Sequence, residues 1–201
     1  MRIISRIIVT AAVAAGSMSC GDVVRSGRSP MFLSIVSLTG ASAPSSTMTN
    51  TIASDVITTV TSPAPCTTEV PCLTIFSDPG AASLTVVPKD VSLEPSSNND
   101  VTITRVHVQY RRADGRNVQG VDIPYAFDGA ATVTVPANGT ASIGFTLVRN
   151  AAKAESPLIQ LQHNGSIITT IADVTFYGRD RVGNDISVTG SMQIDFGNFG
   201  N

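Results

Sequence analysis

The chain has 201 residues, a formal net charge of −2 and 14% charged residues, so it is long enough to bury a core of its own and lacks the basic face that nucleic acid requires. Its richness in Val, Thr, Ser, Ile and Gly favours strands over helices. Two histidines are too few for the copper and zinc sites that some sandwich enzymes carry, and with no Trp and three Tyr the aromatic platforms common in carbohydrate-binding sandwiches are scarce.

The first residues read as an address. Arg2 and Arg6 precede an apolar run over residues 7–16, too short to span a bilayer as a permanent helix, and Ser17, Met18 and Ser19 lead to Cys20. One reading is a secretory signal cut after Ser19, releasing a soluble secreted or periplasmic protein. The other rests on Ser19-Cys20-Gly21-Asp22, which resembles the signal of bacterial lipoproteins, with Ser17 standing where that family usually has an aliphatic residue. The resemblance implies a removed signal over residues 1–19, acylation of Cys20, and a membrane partner reached through that lipid. With each buried methylene contributing about 0.8 kcal/mol, several chains would hold the protein permanently. Gly21 in place of Asp after the cysteine implies, by analogy with enteric sorting, the outer membrane.

Cysteine arithmetic favours the lipoprotein reading. Cys66 and Cys72 flank a proline-bracketed loop and are near enough in sequence to pair, which leaves Cys20 as the odd thiol. A lipid accounts for it. The spacing of Cys66 and Cys72 matches neither a redox motif nor a metal site.

Residues 20–30, with Gly, Ser, Arg and a final Pro, form a short tether, and a domain over residues 31–201 follows. Residues 31–38 predict a first strand, apolar on both sides, and 39–50 a loop. Residues 51–61 predict an edge strand, an exposed candidate for subunit pairing that Lys at Thr58 would block. The cysteine loop then runs to Pro79-Gly80, and residues 82–87 form a strand with Leu84 and Val86 inward, stopped by Pro88. Residues 98–100 turn the chain. Residues 101–112 form a strand whose apolar parity switches between Ile103 and Val106, the signature of a bulge near Thr104-Arg105.

Asp114-Gly115 predicts a hairpin with residues 118–123 returning. A second hairpin pairs Val133 and Val135 with Ala141, Ile143, Phe145 and Leu147 around residues 136–139. Residues 151–155 suit a turn or two of helix, ended by Pro157. His163-Asn164-Gly165 predicts a third hairpin between residues 158–162 and 166–170.

The C-terminal stretch is the most legible. Ala172, Val174 and Phe176 alternate with polar neighbours, as do Ile186, Val188, Met192, Ile194 and Phe196, giving two half-buried strands around a turn at 179–185. An apolar face this long demands a covering sheet. The corner Tyr177-Gly178-Arg179-Asp180-Arg181-Val182-Gly183-Asn184 resembles the last hairpin of bacterial immunoglobulin-like and fibronectin type III-like domains. It implies a single all-β, immunoglobulin-like antiparallel sandwich, and fold does not by itself give function.

Few residues offer chemistry. His107 falls on an outward parity, His163 in a turn, and no nucleophile elbow is present. Asp180, Asn184 and Asp185 share one loop, and Asp173, Asp55 or Asp78 could complete an oxygen cage for Ca²⁺, against the neutralising presence of Arg179 and Arg181 and the habit of Asp and Asn to fill turns. Tyr125 and Tyr177 are candidate binding aromatics. The expectation is a non-catalytic module of a bacterial cell envelope, without cofactor, engaging an envelope protein or glycan through loops at one end of the sandwich. An enzyme accessory subunit is the remote alternative.

Overall fold

The computed structural model describes residues 27–92 and 94–200. The expected signal, Cys20 and most of the tether lie outside the described residues.

Ten strands are described: β1 (Met31–Gly40), β2 (Thr51–Asp55), β3 (Thr58–Val60), β4 (Cys72–Thr74), β5 (Asp78–Pro88), β6 (Val101–Arg111), β7 (Phe127–Val135), β8 (Thr140–Val148), β9 (Ile168–Asp180) and β10 (Asp185–Gly197). One helical turn, α1 (Asn150–Lys153), and 3₁₀ turns at Ser97–Asn99 and Leu158–His163 complete the set. A three-stranded sheet in the order β1-β5-β8 faces a five-stranded sheet in the order β2-β10-β9-β6-β7, and β3-β4 is a separate small hairpin. The protein is an all-β sandwich. Its pairings are antiparallel apart from β2, which runs parallel to β10 with Ile52 opposite Ile194. The early strand β2 thus joins the sheet of the last hairpin, while β1 pairs with β5 in the other.

Alternation builds the core. Ala172, Val174 and Phe176 of β9, Met192, Ile194 and Phe196 of β10, and Val101, Ile103, Val106, Val108 and Tyr110 of β6 are buried against Leu84 and Val86 of β5 and Ile143 and Leu147 of β8. Phe145 and Phe176 meet edge to face with ring centres 5.5 Å apart, joining the two sheets. Tyr110 packs similarly on Phe196, and its hydroxyl donates to the Leu147 carbonyl oxygen at 2.8 Å, a polar tie across the sandwich. Burial pushes the Tyr110 phenol up, with the charge of Asp78 adding to it, so the donor proton stays in place. The register of β6 with both neighbours shifts between Ile103 and Arg105, which is the expected bulge. Gly178 stands opposite, where an added Cβ would lie 2.6 Å from the Thr102 carbonyl oxygen.

Several expectations are corrected. β1 is not apolar-in on both faces: Met31 and Leu33 are buried while Phe32 and Val36 are exposed. Pro79 and Gly80 lie inside β5 rather than in a loop. Residues 118–123 do not return as a strand. Gly115 does turn with positive φ, but the Val118 carbonyl then collects the amides of Val121, Asp122 and Ile123, curling residues 112–126 into a lobe pinned by buried Ile123.

β7 and β8 are consecutive but belong to different sheets, so the Pro136–Gly139 turn arches across the sandwich instead of closing a hairpin. Residues 158–163 are 3₁₀, with Leu158 and Leu161 inward, rather than a strand. The expected edge strand 51–61 breaks in two after Asp55. Thr58 is buried in the small hairpin, opposite Thr74, so Lys there would disrupt packing and could not report on a free edge.

The connections divide unevenly between the two ends. The entry pole, where residues 27–30 lead into β1, holds the segments 89–92, 94–100, 136–139 and 181–184. The far pole holds 41–50, the stretch 56–77 with its small hairpin, 112–126, 149–167 and 198–200.

Phe176→Ala should lower unfolding free energy by about 3–5 kcal/mol, since it opens a cavity at the sheet interface. Tyr110→Phe, which strands the Leu147 carbonyl, should cost about 1–2 kcal/mol. Urea unfolding measures both. A Phe176→Ala loss below about 1 kcal/mol would contradict close packing between the sheets.

Candidate functional site at the far pole

Of the groups considered for calcium, Asp180 and Asn184 stay together in one turn, while Asp55 and Asp78 lie elsewhere. Asp180 ends β9, and its carboxylate accepts hydrogen bonds from the Val182 amide (3.1 Å), the Asn184 amide (2.8 Å) and Asn184 Nδ2 (2.8 Å). It closes the turn that Gly183, with φ of 91°, completes. Asp185 pairs outward with Arg179, and Asp173, on the outer face, takes Arg111 and the Ser191 hydroxyl. Asp55 and Asp78 sit at the opposite pole. Among the described residues no group of three or more potential ligands converges as a metal site.

The histidines also stand on different elements. His107, on the outer face of β6, faces Asp128 at 3.2 Å, and His163 ends the 3₁₀ turn. Tyr177 lies beneath the Arg105 guanidinium, 4.0 Å from ring centre to carbon, in an open hollow of about 740 Å³ that also takes in Phe32, Lys89 and the Arg179–Asp185 pair. That hollow adjoins the entry pole.

The far pole is built differently. Cys66 and Cys72 form the expected disulfide, with their Cα atoms 5.4 Å apart, and Cys72 pairs with Val60 in the β3-β4 hairpin. A loop this small gains about 2 kcal/mol of chain-entropy stabilisation, enough to hold its shape without a core. Val70 and Leu73 are thereby presented to solvent. At the same pole the 112–126 lobe exposes Val118, Val121 and Tyr125, and Ile159 and Ile167 are exposed on the 149–167 segment. Tyr125 closes against Gly120, whose positive φ admits no Cβ without strain, because that atom would fall 2.3 Å from the tyrosine hydroxyl. At the lobe tip Arg112 and Arg116 clasp Asp114, and the Arg112 hydrogen bond foremost holds that carboxyl down at about 2.

Beneath the loops lies a polar centre the sequence did not disclose. Lys153, last residue of α1, donates from Nζ to Asp78 Oδ1 at 2.8 Å, and both side chains are 0% exposed. Asp78 also receives the Ala43 amide on Oδ1 at 3.0 Å and the Ser54 hydroxyl on Oδ2 at 2.5 Å. Asp55, 1% exposed, accepts the Phe199 amide on Oδ1, and its own amide donates to Ser42. Burial pushes the Lys153 ammonium below the ordinary lysine value, opposed by the charge and hydrogen bond of Asp78 and by the charge of Asp55. The only hint in the sequence was a lysine set among alanines at 151, 152 and 154, which reads equally well as a solvated helix.

Compared with known proteins, the chain matches no family model, no curated protein and no solved structure.

Millimolar Ca²⁺ should leave the thermal midpoint unchanged, because the Asp180 oxygens are already taken by the turn. Asp180→Ala should destabilise by about 1–2 kcal/mol through loss of those bonds. A midpoint that rises with Ca²⁺ in the wild type but not in Asp180→Ala would restore the cation site.

Proposed function

We propose that this chain is a lipid-anchored, non-catalytic binding or scaffolding module of a bacterial cell envelope, an immunoglobulin-like sandwich that meets its partner with the pole opposite its anchor. The observation that carries the reading is the polarity of the connections. Chain entry and the shorter turns share one end, while the disulfide-braced hairpin, the 112–126 lobe and the 149–167 segment share the other. A tether leaving the entry pole would turn the far pole away from the bilayer, and binding loops held on a rigid scaffold are the usual way such folds recognise partners. The hollow around Tyr177 would face the membrane side.

The surface chemistry favours a protein over a glycan. Val70, Leu73, Val118 and Val121 are exposed aliphatic groups of the kind that protein contacts cover, whereas Tyr125 is the one tyrosine there that could stack on a sugar ring. The non-catalytic reading draws on the engagement of the acids: Asp78, Asp114, Asp128, Asp173, Asp180 and Asp185 each hold a cation or cap a turn. If Cys20 is unmodified, a secreted soluble binding protein is the second reading.

Protein purified from membranes of a host that processes lipoproteins should begin at Cys20 and carry the mass of its acyl chains, and Cys20→Ala should lack that mass and leave the membrane fraction. An unmodified N-terminus on a soluble product would remove the anchor. In the same cells, a photo-crosslinking residue at Val121 should give a discrete adduct and one at Asn138 none. Adducts at Asn138 alone would reverse the assigned pole.

A further inference from the structure

We propose that Lys153 and Asp78 condense into an intramolecular amide, a covalent side-chain bond that staples the far pole to the sandwich. This goes beyond the envelope reading and stands without it. The geometry is that of a trapped pair of reactants: a primary amine nitrogen 2.8 Å from a carboxylate oxygen, with both side chains fully buried. Holding two groups in contact replaces a bimolecular encounter by a unimolecular step, an advantage reaching effective molarities of about 10⁵ M or more in well-oriented systems.

The surroundings favour the reaction in both its energetics and its positioning. An isolated ion pair in a low-dielectric interior costs several kcal/mol to desolvate, and an amide carries no charge. Proton transfer along the existing hydrogen bond turns ammonium and carboxylate into amine and carboxylic acid, the forms that react. Burial, which disfavours the ammonium of Lys153, pushes in that direction.

The atoms balance as a condensation. Nζ attacks Cγ of Asp78, and the developing oxyanion on Oδ2 keeps the Ser54 hydroxyl as its donor. Oδ1, which took the ammonium proton along the Lys153 hydrogen bond and is also held by the Ala43 amide, leaves as water with a second hydrogen from the amine. Nothing is oxidised or reduced, and no co-reactant is required. The products are the Nζ–Cγ amide and one water. Asp55, the next residue after Ser54, is buried and close enough for its charge to act on Lys153. We assign it the shuttle that carries the amine proton to the departing hydroxyl.

Each partner comes from a segment that strand pairing alone would leave loosely joined. Asp78 opens β5, where the register with β8 is irregular, and Lys153 sits in a one-turn helix too short to be stable by itself. The bond would therefore close a covalent loop between β5 and the segment that follows β8.

The test is the intact mass of the full mature protein, reduced and denatured. It should fall one water below the mass calculated for the sequence with its N-terminal modification, and that deficit should vanish in Lys153→Arg, which keeps the charge but not the amine. A tryptic digest should show no cleavage after Lys153 and a branched peptide joining the segment that contains Asp78 to the one that contains Lys153. Water can also be lost at Asp114-Gly115 or Asp128-Gly129, so a deficit without the branched peptide overturns the proposal. So does the full calculated mass with free cleavage after Lys153. Asp55→Asn should yield folded protein at full mass, and a branched peptide in that variant would overturn the shuttle.

Discussion

Placing Lys153 and Asp78 together in a dry interior constrains everything around the far pole. Neither group can be left without the other, because a buried unpaired charge costs several kcal/mol, comparable to a large fraction of a domain's net stability. The contact fixes α1 against the start of β5, and the further partners of Asp78 draw in the 41–50 loop through Ala43 and the end of β2 through Ser54. Asp55 extends the same centre to the C-terminal segment through Phe199. Five segments of the chain are thus tied at one point by charge and hydrogen bonding, where a loop-rich region could not supply apolar packing of its own.

That centre is what allows the sandwich to be asymmetric. At the entry pole the connections are held mainly by local means: Asp180 closes one turn by itself, and Asp100 joins two turns through the Ala137 amide and Arg181. Such ends need no interior. The far pole carries longer segments that do, and they find it in Ile123 under the lobe, Leu158 and Leu161 under the 3₁₀ turn, and the disulfide across the small hairpin.

The acids illustrate how position decides meaning. Asp180, Asp185, Asp55 and Asp78 are identical in chemistry, yet one closes a turn, one pairs with a surface arginine, and two sit in the buried centre at the other end of the molecule. Neither Asp55 nor Asp78 can join Asp180 and Asp185 around one cation, since β9 and β10 keep the 181–184 turn a full sheet length from the opening of β5.

What the sequence determined by itself was local. Alternation over residues 172–176 and 192–196 gave the inward face because a pleated strand sends successive side chains to opposite sides whatever it packs against. The switch of parity beyond Ile103 located the bulge for the same reason, and Cys66 and Cys72, close in sequence and bracketed by prolines, had little choice but each other. Tertiary structure decided the partners. Strands β7 and β8 alternate like a hairpin, and only the covering of two apolar faces sends them to different sheets. Residues 118–123 and 158–163 carry strand-like residues yet follow anchors, Ile123, Leu158 and Leu161, that pack under long loops. Lys153 lay beyond sequence reasoning altogether, since a lysine is charged and solvated unless a distant carboxylate is brought to it, and that meeting belongs to the fold.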